Sequence, residues 1–259
     1  MAYRKQGTSL PAPYLRKILL MPEKVPDRGI YPFNLPFMGA DDWELDFPNA
    51  VTIIVGENGA GKSTLIEAIA AVAGYDEAGG GKGYMPVNHI GALDKSGAAL
   101  ADALRCHWLP KVTNGWFFRA ESFYSVARYL DDAAVTTNVV PPDFLSWSHG
   151  EGFLRFFEQR CMRQGIYFLD EPESALSPKR QLELLRILRR MQDFGRSQVI
   201  MATHSPILMA LPDATLYRIS RFGLDETSYR ETEHFHLWRE FCVDPDTFIS
   251  EALEKETET

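Results

Sequence analysis

The sequence predicts an α/β fold in which a mostly parallel β-sheet is flanked by helices. Three short apolar segments carry this prediction, at 51–55, 166–169 and 198–202. Runs of this length and composition are typical of strands that are buried on both faces of a parallel sheet. Helical segments lie between them, and strands that alternate with helices favour a parallel sheet over an antiparallel one.

The helices are indicated by their composition and by their ends. Small and apolar residues at 63–73 run up to Gly74, and glycine commonly ends a helix. A second helix is expected at 151–162. A third begins after Ser177, where a capping side chain precedes a proline at the first helical position, and Gly195 closes it.

Length, charge and cysteine usage limit the class of protein. The chain has 259 residues, a net charge of −8 and three cysteines without paired spacing. Its acidity argues against a surface covered with phosphate-binding groups, and the cysteines indicate neither a disulfide framework nor a zinc site. A local basic strip at 179–196 is expected to be the solvated face of a helix. No apolar run approaches the roughly 20 residues that span a bilayer, so we expect a cytoplasmic protein with no membrane partner.

The segment that follows the first apolar strand has the pattern of a phosphate-binding loop. Gly56, four further residues and then Gly61-Lys62-Ser63 lie between a predicted strand and a predicted helix, which is the context that this motif requires. Glycines allow backbone N–H groups to turn toward phosphate oxygens, the lysine supplies a mobile cation, and the serine hydroxyl can bind Mg²⁺. The residues predicted to contact a nucleoside triphosphate here are Asn58, Gly59, Ala60, Gly61, Lys62, Ser63 and Thr64.

Two carboxylates follow the second apolar strand. Asp170 and Glu171 come directly after 166–169, and the carboxyl end of a parallel strand lies at the same sheet edge as the phosphate loop. We expect Asp170 to hold Mg²⁺ through its water shell. We expect Glu171 to orient and deprotonate the attacking water, since phosphoryl transfer depends mainly on positioning and charge neutralisation. The alternative is that these acids lie at the N-terminus of a helix and interact with its dipole.

One histidine is predicted to reach the same edge of the sheet. His204 follows the strand at 198–202, so its imidazole can hydrogen-bond the γ-phosphate or the attacking water. His234 and His236 would share one face of a strand and suggest a metal, but no third ligand is evident. We therefore expect these two histidines to be ordinary surface or core residues.

Five segments in a fixed order resemble the ABC-type ATPases. They are 56–64, 148–151 (Ser-His-Gly-Glu), 167–171, 172–177 and 201–206 (Met-Ala-Thr-His-Ser-Pro). Order and spacing are similar as well as the residues, over the range 15–220, and the variant is that of the SMC, RecF and OLD-like soluble proteins. The resemblance implies a P-loop NTPase fold with an N-terminal antiparallel β portion and a small inserted helical lobe. It also implies ATP and Mg²⁺ as ligands, with Lys62, Glu171 and His204 as the catalytic residues.

The resemblance further implies a homodimer that forms on ATP binding. In that family two nucleotide-binding domains close head to tail around two ATP molecules, so Ser148 and Gly150 would contact the γ-phosphate held by the other subunit. Residues 174–177 would cross the interface, and His204 would be the switch histidine. The chain, 1–259, is then a single ABC-type ATPase domain. Its inserted lobe is expected at about 85–150 and its C-terminal extension at 221–259, the latter similar to that of small stand-alone bacterial ATPases.

The sequence departs from the family pattern at one corner. The family has a glutamine after the strand that precedes its inserted lobe, where it ligates Mg²⁺. Here 118–122 read Phe-Arg-Ala-Glu-Ser, without glutamine. Glu121 is the predicted replacement ligand for the metal, and Ser122 is the alternative.

Two further contacts are expected to complete the nucleotide site. Glu151 stands where transporters have glutamine in their signature, and it is expected to cap a helix or to contact the ribose. The adenine is expected to stack on an aromatic residue upstream of the phosphate loop, either Tyr31 or Phe33. Packing in the core is the alternative for both aromatic rings.

Three classes of function fit a nucleotide site of this kind. The first is a soluble ATPase switch that drives a separately encoded effector protein, or acts on a nucleic acid, in genome maintenance or anti-phage defence. The second is the nucleotide-binding subunit of an ABC transporter, and the third is a P-loop kinase. Glu171 beside Asp170, together with the signature, argues against a kinase. Glu173 and the Ser205-Pro206 pair favour the soluble switch over the transporter subunit, partly by analogy with the family.

Overall fold

The computed structural model describes most of the chain, and the fold below is that of the described residues. These are 8–76, 79–81, 96–112, 114–119 and 149–255. The strands are β1 (Leu15–Leu20), β2 (Glu44–Asp46), β3 (Val51–Gly56), β4 (Gly80–Gly81), β5 (Leu104–Trp108), β6 (Gly115–Arg119), β7 (Gly165–Asp170), β8 (Ser197–Ala202), β9 (Thr215–Ser220) and β10 (Gly223–Thr227). The helices are α1 (Lys62–Ala73), α2 (Ser96–Asp102), α3 (His149–Cys161), α4 (Pro178–Phe194), α5 (Pro206–Met209), α6 (Glu233–Val243) and α7 (Pro245–Lys255).

A seven-stranded sheet forms the centre of the described structure. Its strand order is β10-β9-β3-β8-β7-β6-β4. The five inner strands are parallel, while β10 and β4 pair antiparallel at the two edges. Every residue of β3, β7 and β8 is buried, because a parallel sheet is covered on both faces. The predicted α/β fold with a mostly parallel sheet is therefore confirmed.

Successive residues of β3 belong to two apolar clusters, one on each face of the sheet. Ile54 belongs to the cluster that includes Leu65 of α1. Ile53 belongs to the other cluster, which includes Phe153 of α3 and Leu184 of α4. Side chains alternate between the faces of a strand, so α1 covers one face while α3 and α4 cover the other. This arrangement places the beginning of α1 at the carboxyl edge of the sheet.

A second, antiparallel sheet contains the N-terminal strand, as the sequence predicts. Its strand order is β2-β1-β5. The strand β5 comes from the range 85–150, where the inserted lobe is predicted, and β6 of the same range joins the core sheet beside β7. Helix α2 packs against α1. The described part of that range, 96–112, 114–119 and 149–150, thus belongs to the body of the protein, and the rest of the predicted lobe lies outside the described residues. The division into one domain with a lobe and an extension stays a prediction.

The helix ends follow the predicted signals, with one exception. Gly74 and Gly195 end α1 and α4 with φ angles of 97° and 63°, a left-handed conformation that glycine adopts without steric cost. Ser177 precedes α4 as predicted, but its side chain makes no capping hydrogen bond there. Within the described ranges, none of the helices has both the length and the apolar character that crossing a bilayer would require.

Aromatic packing between α3 and the sheet is expected to contribute strongly to stability. Phe156 is fully buried, and its ring centroid lies 5.1 Å from that of Trp116 and 5.2 Å from that of Phe118. Phe156→Ala should lower the free energy of unfolding by about 3–5 kcal/mol, because it leaves a cavity in the core. Urea unfolding followed by tryptophan fluorescence measures the change. Phe194→Ala is the matched control, since Phe194 is 66% exposed, and an equal loss in both variants would contradict the packing.

Candidate nucleotide-binding site

The phosphate loop joins β3 to α1 in a conformation that depends on glycine. Gly59 and Gly61 have φ angles of 76° and 96°, which other residues rarely adopt. A Cβ atom at Gly61 would also lie 2.8 Å from the side chain of Leu35. The loop therefore has the left-handed glycine conformations that are typical of phosphate-binding loops, and a side chain at Gly61 would be strained.

The loop lysine is held inside the loop by backbone carbonyls. Lys62 is buried, and its Nζ donates hydrogen bonds to the carbonyl oxygens of Gly56 and Glu57, at 3.0 and 2.9 Å. Burial lowers the pKa of Lys62, and the nearby carboxylates of Glu171 and Asp170 oppose that effect. Phosphate oxygens of a bound nucleotide can replace the two carbonyl oxygens as acceptors of this ammonium.

The carboxylate at the end of β7 is oriented from two sides. Asp170 is buried, and its Oδ1 accepts a hydrogen bond from the hydroxyl of Ser63 at 3.0 Å. Its Oδ2 lies 3.7 Å from the guanidinium of Arg119. A serine hydroxyl and a carboxylate are oxygen donors of the kind that Mg²⁺ takes together with water and phosphate. Two of the three residues predicted to hold the metal therefore fit that ion, and the structure places them in contact.

Arg119 is a residue at this corner that the sequence analysis missed. It ends β6, and the pairing of β6 with β7 sets it opposite Asp170. Its Nη1 also lies 2.8 Å from Oε1 of Glu67 on α1, and both side chains are about nine-tenths buried. The register that aligns Arg119 with Asp170 is not visible in the sequence, so no local signal could have found this contact. Glu121, the predicted replacement for the family's glutamine, lies outside the described residues.

Glu171 has an unusual backbone conformation for a residue with a side chain. Its φ angle is 46°, in the left-handed region, and its N–H donates to the carbonyl of Ala202 at 3.1 Å. Non-glycine residues held in this region occur preferentially at functional sites, where the surrounding structure compensates for the strain. The side chain, 38% exposed, faces His204, with 3.4 Å between Oε1 and the imidazole Nε2.

The imidazole of His204 presents an unsatisfied nitrogen to this edge. Its Nε2 is buried and makes no hydrogen bond to any residue within the described ranges. Its other nitrogen, Nδ1, lies 3.0 Å from Nε2 of His234. Burial, followed by the charge of Lys62, lowers the pKa of His204. A buried ring nitrogen without a partner is a group that a phosphate oxygen or a water molecule can satisfy.

Glu173 fixes the backbone that carries His204. Its carboxylate accepts a hydrogen bond from the peptide N–H of His204. Its second oxygen, Oε2, is buried without a hydrogen-bond partner among the described residues. The sequence pattern Asp-Glu-Pro-Glu includes Glu173 but does not reveal its contact with His204.

The signature residues are only partly described. Ser148 lies outside the described residues, and Gly150 lies in the first turn of α3. The carboxylate of Glu151 forms an ion pair with Arg180 of α4. Of the segment 174–177, the first two residues complete a short 3₁₀ helix that begins at Pro172.

The two aromatic candidates for the base differ in exposure. Phe33 is 4% exposed and belongs to the core, so it is not available to a ligand. Tyr31 is 51% exposed, and its hydroxyl hydrogen-bonds that of Thr64 at the end of the phosphate loop. Of the two, Tyr31 alone has a surface that an adenine ring can stack on.

His234 and His236 lie on a helix, and not on the strand that a shared metal-binding face would require. Both belong to α6, where residues two apart do not face each other. No group of three potential metal ligands of the His, Cys, Asp and Glu types occurs in the described part of the chain. His236 is exposed, whereas His234 contacts the nucleotide site through His204.

The basic strip along α4 is largely neutralised by neighbouring acids. Arg180 pairs with Glu183 as well as Glu151, Arg190 with Glu158, and Arg189 with two aspartates. Residues of both charges line the cavity of about 740 Å³ between α3 and α4. The expectation of a solvated helix face agrees with this pairing.

Two protein-family models match parts of the chain. Residues 138–210 match the family described as "AAA domain, putative AbiEii toxin, Type IV TA system", a range that includes Asp170, Glu171 and His204. Residues 32–95 match "AAA domain", a range that includes the phosphate loop. No curated protein matches the sequence.

The site and these matches define a P-loop NTPase domain. The glycine-dependent loop, the Ser63–Asp170 contact and the parallel sheet are its structural elements. The two family matches, each of which covers less than half of the chain, agree with the resemblance of the five motifs to the ABC-type P-loop ATPases.

Three solved structures align with most of the chain at low identity. One is "An inward-facing conformation of a putative metal-chelate type ABC transporter", with 15% identity over 86% of this chain and 87% of that chain and a TM-score of 0.48. Another is cbiO1 from Clostridium perfringens, part of the ABC transporter complex cbiONQ, with 14% identity, coverage of 93% and 100% and a TM-score of 0.45. The SMC head domain from Thermotoga maritima has 16% identity, coverage of 83% and 98% and a TM-score of 0.44. All three TM-scores are below 0.5, so these similarities are too distant to assign a function.

The buried carboxyl of Glu173 is expected to make stability depend on pH. Burial raises the pKa of Glu173 above its ordinary value of 4.5, although the N–H of His204 acts in the opposite direction. A carboxyl with a raised folded-state pKa contributes stability fully below the unfolded pKa, and that contribution is lost as the pH rises through the folded pKa.

Glu173→Gln keeps an oxygen for the N–H of His204 but carries no charge. The variant should therefore gain stability relative to the wild-type protein as the pH rises from about 4.5 to neutral. Urea unfolding at both pH values measures the difference. Glu158→Gln, on the exposed surface of α3, is the control. A Glu173→Gln difference that is the same at both pH values would contradict this account.

Proposed function

We propose that this protein is an ATPase that binds Mg-ATP at the carboxyl edge of its core sheet and hydrolyses it with Glu171 as general base. The observation that carries the proposal is the convergence of four side chains at this edge. Ser63 Oγ lies 3.0 Å from Asp170 Oδ1, and Glu171 Oε1 lies 3.4 Å from the unsatisfied Nε2 of His204. Hydroxyl, carboxylates and imidazole in this arrangement suit positioning and charge neutralisation, which are the main requirements of phosphoryl transfer.

The phosphate loop binds the triphosphate in this proposal. The backbone of 58–64 surrounds the phosphates, and the N-terminus of α1 adds a favourable field for their negative charge. Lys62 exchanges its hydrogen bonds to the carbonyls of Gly56 and Glu57 for phosphate oxygens. The exposed ring of Tyr31, next to Thr64, stacks on the adenine.

Three residues are proposed for the metal. Ser63 would provide its hydroxyl, which donates a hydrogen bond to Oδ1 of Asp170, and Asp170 would hold the metal through its water shell. Glu121 is proposed on the family resemblance alone. When bound, Mg²⁺ neutralises negative charge on the phosphates.

The hydrolytic step is assigned to groups at the end of β7 and just after β8. Glu171 accepts a proton from the attacking water, whose oxygen forms the new bond to the γ-phosphorus as the bond to the ADP oxygen breaks. His204 donates Nε2–H to an oxygen of the γ-phosphate. Glu173 holds the His204 backbone in place for this contact.

A second part of the proposal concerns the assembly of the protein and its partners. Ser148 and Gly150 of a second copy contact the γ-phosphate, so that ATP closes a head-to-tail homodimer and hydrolysis reopens it. The closed dimer drives a separately encoded effector protein, with genome maintenance or anti-phage defence as the setting. The support is the family resemblance together with the family match over 138–210, whose description names a toxin–antitoxin system.

Glu171→Gln should stop hydrolysis and trap the ATP-bound dimer. Loss of a general base lowers kcat by roughly 10²–10⁴-fold, while the loop and metal ligands that bind ATP remain. Hydrolysis is measured by phosphate release, and assembly by light scattering after size exclusion with and without Mg-ATP. The dimer is expected only with Mg-ATP.

Lys62→Ala is the control that should neither bind ATP nor dimerise. A Glu171→Gln variant that stays monomeric with bound Mg-ATP would contradict the dimer. Wild-type hydrolysis in Glu171→Gln would contradict the role of Glu171. Co-purification of the wild-type chain with a polytopic membrane protein would favour the transporter subunit instead.

Asp170→Asn should weaken the binding of Mg²⁺ and leave the phosphate loop intact. A carboxylate that acts on the metal through water typically affects metal affinity by roughly 10–100-fold, so half-maximal activity should need that much more Mg²⁺. Titration of the ATPase rate with Mg²⁺ at saturating ATP measures the shift. Asp193→Asn, on the exposed side of α4, is the control. An unchanged Mg²⁺ requirement in Asp170→Asn would exclude the proposed role.

A further inference from the structure

The C-terminal part of the chain reaches the nucleotide site through His234. Thr232 caps the start of α6, with its Oγ1 accepting the N–H of Phe235 at 3.2 Å, and this turn directs His234 inward. Its Nε2 lies 3.0 Å from Nδ1 of His204, with 5.2 Å between the ring centroids. His234 also lines a cavity of about 620 Å³ together with the phosphate-loop residues 56–60.

Both imidazoles lie in surroundings that disfavour a positive charge. Burial is the largest cause that lowers the pKa of His204 and of His234. Lys62 lowers both further, whereas Glu57 acts in the opposite direction on both, and so does Glu171 on His204. The neutral form of each ring is therefore favoured, and a neutral imidazole has one donor nitrogen and one acceptor nitrogen.

The surroundings of His204 select one of its two tautomers. Its Nε2 faces the carboxylate of Glu171 at 3.4 Å, and a carboxylate only accepts hydrogen bonds. A lone pair on Nε2 would face the negative oxygens of Glu171, so the proton belongs on Nε2. Nδ1 is then an acceptor, and the atom placed to donate to it is Nε2 of His234.

We propose that His234 is a positioning residue for His204: it donates Nε2–H to Nδ1 of His204 and thereby directs the Nε2–H of His204 at Glu171 and at the γ-phosphate. This inference rests on the proposed ATPase function. It makes the C-terminal segment a component of the hydrolytic site, because α6 supplies the group that orients the catalytic imidazole. The hydrogen bond that one ring nitrogen of a histidine makes commonly sets the tautomer and the orientation of the ring in catalytic and metal sites.

The kinetic test compares three variants of the full chain. His234→Leu replaces the imidazole donor with an apolar side chain. His234→Gln keeps an N–H at the end of a flexible chain, and His236→Leu changes the exposed histidine of the same helix. His234→Leu should lower kcat for ATP roughly 10- to 100-fold, as for other residues that orient a functional imidazole, with KM unchanged. His234→Gln should recover most of the loss, and His236→Leu should behave as the wild-type protein.

Four kinetic results would overturn the proposal, of which the first three concern kcat. They are a wild-type kcat in His234→Leu, a loss in His234→Gln as large as that in His234→Leu, and an equal loss in His236→Leu. A loss that appears only in KM would likewise show that His234 acts on ATP binding and not through His204.

A second measurement needs neither ATP nor turnover. Nitrogen-15 NMR of the histidine rings distinguishes the tautomers, and His204 should be the Nε2–H form in the wild-type protein and a mixture of forms in His234→Leu. An Nδ1–H form of wild-type His204 would overturn this proposal alone. A wild-type protein that binds but never hydrolyses ATP, with His204 as the Nε2–H form, would instead overturn the proposed function.

Discussion

The parallel pairing of β3, β8 and β7 is the constraint on which the rest of the structure depends. Strands paired in this way end at one edge of the sheet, so Ser63 and Asp170 come into contact although they are 107 residues apart. The pairing of Asp170 with Ala202 sets Glu171 beside the segment that carries His204. A slip of one residue in either register would turn Asp170 to the other face of the sheet. Burial on both faces makes such a slip costly.

The site brings opposite charges together among buried and partly buried groups. Lys62 lies close to Glu171 and Asp170, and Arg119 bridges Asp170 and Glu67. Charges of this kind need partners when they are buried. Lys62 donates hydrogen bonds to carbonyls of its own loop, and phosphate oxygens can replace these acceptors. The Nε2 of His204, which is buried and makes no hydrogen bond within the described ranges, is the complementary feature, since a phosphate oxygen can serve as its partner.

The parts of this site that could be predicted are those whose residues are close together in the sequence. The phosphate loop and the carboxylates after β7 are contiguous motifs next to apolar strands, so the strand ends alone place them at one edge. Arg119 and His234 act through strand register and helix docking, which bring distant residues together without a sequence pattern. The same reason explains why the sequence did not predict that part of 85–150 belongs to the two sheets. The strand β5 pairs with β1, and β6 pairs with β7, but the sequence of a strand does not reveal its partner.

The central claim is that Mg-ATP binds and is hydrolysed at the carboxyl edge formed by β3, β7 and β8. A crystal structure of Glu171→Gln with Mg-ATP tests it most directly. The account predicts Mg²⁺ on the hydroxyl of Ser63, with Asp170 close to it and the γ-phosphate within hydrogen-bond distance of Nε2 of His204. A nucleotide bound with its γ-phosphate away from Asp170 and His204, or bound elsewhere on the protein, would contradict the account.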